Sequence, residues 1–185
     1  FASQSQICDN QEQTGMEIGS IKLNNGFEII YTKIKGSEVI GISLLGKAGS
    51  VFEEIPGTAH FMEHIAMDGS EKYPSKKTLA AIVQNSGGHV GARTGKEFVE
   101  YYIKTIKSEL ESGFEFLSQV VFYPLMTEKN IEKEKAVITQ EISRAESDDQ
   151  RQLFETMVNL SYNSGTLNRM VLGNKDSIKN INQKT

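Results

Sequence analysis

The stretch "GTAHFMEHIAMDG", residues 57–69, places His60 and His64 four residues apart, with Glu63 immediately before the second histidine. From Thr58 to about Met67 the pattern is helical. Each residue of a helix advances by about 100°, so His64 lies about 40° from His60, and Glu63 about 60° to the other side. All three side chains project within an arc of roughly 100°. Two neutral imidazoles one turn apart can grip one zinc ion, and a site with three protein ligands keeps a position for water. Zinc lowers the pKa of that water to about 7, and a carboxylate beside it can take the proton. Glu63 is placed to be that base. The order is the inverse of the commoner H-E-x-x-H arrangement. The bland alternative is a helix with two surface histidines, and a third ligand from another element argues against it.

A long helix is expected after Thr127, an N-cap candidate, over "EKNIEKEKAVITQEISRAE". Glu134 and Glu141 stand seven apart in it, only about 20° from alignment on one face. The intervening Ala136, Val137 and Ile138 predict that this part of the helix is packed. A carboxylate on a packed helix needs a partner, and a metal is a good one. Glu128, Glu132 and Glu146 read as solvated glutamates. His89, the remaining histidine, follows two glycines and reads as a strand-end polar residue.

The rest of the chain sets bounds. With 185 residues it holds one domain with a real core. A net charge of −4, with no isolated Lys/Arg block, argues against a nucleic-acid partner. The longest apolar run, "VIGISLLG", falls far short of the roughly 18 residues of a membrane span. Cys8 is the single cysteine, which excludes an internal disulfide framework. Residues 1–15 read as a polar arm and residues 16–185 as the folded domain. Two strands flank Asn24-Asn25-Gly26, and "SEVIGISLLGKAGS" is a third strand whose apolar middle predicts burial on both faces. A helix follows Ser75 and ends at Gly87-Gly88; "GGHVGARTG" is extended and leads into the strand "EFVEYYIKTI". Ser108 is expected to cap the helix "ELESGFEFLSQVVF", and further helices follow Asp148-Asp149 and cover "DSIKNINQK". This is an α/β (α+β) chain with a mostly antiparallel sheet and helices packed on one face.

Taken together, "GTAHFMEHIAMDGSEKYPS" and Glu141 within "EKAVITQEI", 77 residues beyond His64, resemble the inverzincin metallopeptidases. That family includes pitrilysin, insulin-degrading enzyme and the mitochondrial processing peptidase. "LNNGFEIIY", "ISLLGKAGSVFEE", "EFVEYYIKTI", "FLSQVVFYPLM" and "VLGNKDSIKNI" match as well, so the resemblance runs from about Ile21 to Ile181. It implies a zinc endopeptidase of extended peptides with one Zn2+ per chain. It makes His60, His64 and Glu141 the zinc ligands, Glu63 the catalytic base, and Glu134 a residue that supports the site from beside the ligands. It assigns Ala92, Arg93 and Thr94 to substrate binding, along a strand edge where relatives usually carry Asn and this chain has Gly91. It also implies a homologous second half-domain or partner subunit, which supplies an Arg/Tyr pair for the oxyanion. The chain is therefore expected to be the N-terminal half of such a peptidase, truncated at its C-terminal end.

Two rival readings exist. A non-catalytic relative, acting in assembly or substrate recognition, would typically have lost part of the zinc motif, which is whole here. S-ribosylhomocysteine lyase has a similar inverted motif but needs a ligand cysteine well downstream, and Cys8 cannot serve.

Overall fold

The computed structural model describes residues 17–162 and 165–185. The polar arm expected over residues 1–15, with Cys8, lies outside them. The chain divides into two compact units, the first ending at Glu38 and the second running Val39–Thr185.

In the first unit β1 (Ile18–Lys22) and β2 (Glu28–Thr32) pair antiparallel, with Ile18 opposite Thr32 and Lys22 opposite Glu28. The chain reverses at Asn24-Asn25-Gly26, as expected. Gly26 sits at φ 87°, a backbone that glycine adopts without a Cβ penalty.

The second unit runs β3 (Val39–Gly46), α1 (Thr58–Asp68), α2 (Lys76–Gln84), β4 (His89–Thr94) and β5 (Val99–Ile106). It continues with α3 (Leu110–Phe122), α4 (Glu128–Glu146), α5 (Asp149–Ser161) and α6 (Lys175–Asn180). The sheet order is β3-β5-β4, antiparallel throughout. Side chains alternate between faces along each strand. Val99, Ile103 and Thr105 of β5 are buried against the layer formed by α1, α2 and α3. On the opposite face Val39, Leu45 and Ile106 are exposed. The expectation that β3 is buried on both faces is thereby corrected. Exposed and half-buried residues alternate along it, because helices cover one side only and β3 lies at the sheet edge.

Two apolar clusters meet at α1. Ala66 joins Leu79, Val83, Ile103, Phe116 and Val120 beneath the sheet. Phe61 and Ile65 join Ile131, Ile138 and Ile142 of α4, together with Leu172 and Ile178. The helix after Ser75 begins with a capping box, the Ser75 side chain accepting from the Thr78 N–H, and Thr127 caps α4 by accepting from the Asn130 N–H. Ser108 does not cap α3. It lies inside a 3-10 turn, Lys107–Glu109, that runs straight into the helix, where the Leu110 N–H bonds the Lys107 carbonyl.

The start of α1 is held by a residue that precedes it. Gly57, the N-cap residue, has φ 90°, and a Cβ there would lie 2.8 Å from the Leu172 carbonyl oxygen. The buried carboxylate of Glu53 supplies the cap: Oε1 accepts from the Gly57 N–H at 2.8 Å and Oε2 from the Ala59 N–H at 2.9 Å. A carboxylate at this end also opposes the positive pole of the helix. Glu53→Ala is expected to cost about 1–2 kcal/mol of stability through loss of this cap, measured as a lower urea midpoint with an unchanged m-value.

Candidate metal centre

Burial of Phe61 and Ile65 turns the rest of α1 toward α4 and β4, and this brings its polar residues into one place. The Nε2 atoms of His60 and His64 face Glu141 Oε2 on α4, at 3.8 and 3.5 Å. One donor atom from each of the three residues lies within 4.8 Å of the others. The imidazole rings stand 4.7 Å apart at 68°. The Nε2 to Oε2 gaps are longer than hydrogen bonds, and they fall within the roughly 4 Å that two donors can span across one ion at about 2 Å each. Two imidazoles and a carboxylate converging without hydrogen bonds to one another are a donor set that suits zinc. His60, His64 and Glu141 could therefore hold such an ion.

The two histidines sit in opposite electrostatic settings. Burial lowers the His60 pKa to about 4, aided by the charges of His64 and Arg151. Its ring is thus neutral near pH 7, and its buried Nδ1 has no hydrogen-bond partner among the described residues. For His64 burial also pulls downward, but the hydrogen bond and charge of Glu134, with the charges of Glu141 and Glu63, outweigh it and raise the pKa. His64 Nδ1 lies 3.0 Å from Glu134 Oε2. An ionised carboxylate can only accept, so Nδ1 carries a proton toward Glu134, and in the neutral ring the Nε2 lone pair faces Glu141. Glu134 belongs to the buried stripe of α4 with Ile131, Ile138 and Ile142, whereas the Glu141 side chain is 38% exposed. Burial would raise the Glu134 pKa, but hydrogen bonds from His64 and Lys133 outweigh it and keep the carboxyl ionised.

Glu63 stands beside this group. Burial raises its pKa, against a hydrogen bond from the Thr94 hydroxyl and the charge of His64. Thr94 ends β4, the second edge of the sheet among the described residues. Ala92, with Val90 and Gly91, lines a cavity of about 310 Å³ that also touches Glu63, His64 and Glu134. Arg93 points elsewhere: its guanidinium pairs with Glu100 and lies 5.3 Å from the Phe98 ring centre. His89 opens β4 and takes no part in the donor group. Sequence reasoning missed Glu53, the Thr94 contact with Glu63, and Lys133, which bonds Asp68. An acidic residue a few positions ahead of a helix was the one available signal, for Glu53.

This fold is that of a known family of peptidases. The family model for insulinase, peptidase family M16, matches residues 29–175, and the chain belongs to that family. It is 32% identical over 164 residues to the mitochondrial-processing peptidase subunit beta of Mus musculus, across 88% of this chain and 33% of that protein. It is 30% identical over 164 residues to an uncharacterized zinc protease of Rickettsia bellii, across 88% of this chain and 40% of that one. A protease from Helicobacter pylori shares the fold with a TM-score of 0.84 at 24% identity, over 91% of this chain and 41% of the other. Pitrilysin does so with a TM-score of 0.74 at 22% identity, over 94% and 19%. The chain thus spans between a third and two-fifths of the length of these two sequence relatives.

The His60 environment has a measurable consequence in metal-free protein. The unfolded imidazole takes a proton near its ordinary 6.5 and the folded one only near 4, so the unfolded state binds the proton first as pH falls. The His60 contribution is complete above pH 6.5 and is lost between there and pH 4, while the raised His64 pKa acts in the opposite sense. In urea titrations with a chelator present, His60→Asn should lose stability less steeply than the unsubstituted protein over that window.

Proposed function

We propose that this chain is the zinc-bearing part of an M16 endopeptidase that hydrolyses extended peptides. The observation that carries the reading is the meeting of His60, His64 and Glu141 donor atoms beside Glu63, at the end of an edge strand. His60, His64 and Glu141 hold the ion, and Glu134 fixes the tautomer and direction of His64. Zinc, when bound, supplies a Lewis acid for the scissile carbonyl and makes water acidic enough to lose a proton near pH 7. Glu63 takes the proton from the attacking water and returns it to the leaving amine, a task helped by a pKa that burial raises toward neutrality. The Thr94 hydroxyl keeps the Glu63 carboxylate from turning away.

The substrate backbone adds to the open edge of β4 at Ala92, Arg93 and Thr94, where strand addition reads main chain more than side chain. A homologous second half-domain, or a partner subunit, completes the site with an Arg/Tyr pair for the oxyanion. The processing-peptidase relative is itself named a subunit, which agrees with a site shared between halves.

Elemental analysis should find about one zinc per chain, absent after His60→Ala. Glu63→Gln should keep the zinc and lower peptide hydrolysis by at least about 100-fold, the size of a lost general base. Near-normal turnover in that variant would remove Glu63 from the mechanism. Glu141→Gln should weaken zinc binding itself, and an unchanged affinity would move the third ligand elsewhere, Glu134 being the first alternative.

A further inference from the structure

Glu134 is held at both ends, and only one end touches the donor group. Its Oε2 meets His64 Nδ1 at 3.0 Å, while its Oε1 lies 3.3 Å from the ammonium of Lys133. The same ammonium bonds Asp68 Oδ1, on the last residue of α1. Asp68 and Glu134 are 8% and 6% exposed, so two buried carboxylates from two helices share one cation. The terminal torsion of a glutamate is soft, and a carboxylate held at one oxygen can pivot about it. A second contact at the other oxygen removes that freedom.

We propose that Lys133 and Asp68 are positioning residues of the metal centre: bridged by the Lys133 ammonium, they lock the Glu134 carboxylate so that His64 Nε2 stays aimed at Glu141. This rests on the zinc reading given above. Lys133 ties the end of α1, the helix that carries His64, to the residue of α4 that orients His64. The Lys133 side chain is itself 56% exposed, and exposed ion pairs add little to stability. Its carboxylate partners are buried, however, so its loss bears on stability as well as on metal affinity, and the two are read separately.

The test is zinc affinity of the complete protein, measured by competition with a chromophoric chelator. Lys133→Met should weaken zinc binding about tenfold, the lower end of what outer contacts of a metal site contribute, and Lys133→Arg should retain most of it. Lys133→Met leaves Asp68 buried without a cation, so the double variant Lys133→Met/Asp68→Asn guards against a folding artefact. It should show the same loss of affinity, with the melting temperature of the metal-free protein unchanged. In a Glu134→Gln background Lys133→Met should cost nothing further, whereas a merely structural lysine would subtract the same amount again. Wild-type affinity in the double variant, or equal losses in both backgrounds, would overturn the bridge while leaving the zinc site standing. An unsubstituted protein that binds no zinc would instead overturn the zinc reading, and the bridge with it.

Discussion

The shared burial of Phe61 and Ile65 with Ile131, Ile138 and Ile142 fixes how far α1 is rotated about its own axis against α4. One residue of slippage would turn the helix by about 100°, and His60 and His64 would face away from Glu141. The polar site therefore depends on an apolar seam one residue removed from it in sequence. The Glu53 carboxylate serves the same end from the helix terminus, since it seats the first turn that carries His60. Packing sets the rotation and the cap sets the axial position.

Within that frame the carboxylates divide their work by depth. Glu134 lies in the buried stripe of α4 and holds a histidine; Glu141, one face-repeat later, reaches a more open position among the donors. Glu63 is shielded enough for its pKa to rise, yet is tethered by a hydroxyl from the sheet. The histidines divide similarly. His60 stays neutral through burial, and His64 is drawn toward protonation by the acids around it. Three acids around one imidazole repel one another, and positive charge placed among them lessens that repulsion.

Much of this was legible in the residues because helical geometry is short-range and regular. The convergence of His60, Glu63 and His64 follows from 100° per residue, and the alignment of Glu134 with Glu141 from the same number. Which of those two glutamates faces the imidazole Nε2 atoms is a matter of tertiary contact, and the spacing left both open. The burial of β3 was misread because an apolar run does not reveal whether a second layer covers the sheet, and here Val39 and Leu45 stay exposed. Ser108 was misread because a 3-10 turn can feed a helix without any side-chain cap. The bond from Lys133 to Asp68 joins residues far apart in sequence, and no periodicity marks it.

The uninterrupted course of α4 has an evolutionary corollary. Between His64 and Glu141 the chain passes through several loops, where residues can be gained or lost without disturbing either end. Between Glu134 and Glu141 it passes through nothing but helix. A single codon inserted there would swing one glutamate about a quarter-turn away from its imidazole while the other stayed in place. Drift in length is thus open to this protein in the loops around the site, and closed between His60 and His64 on α1 and along two turns of α4.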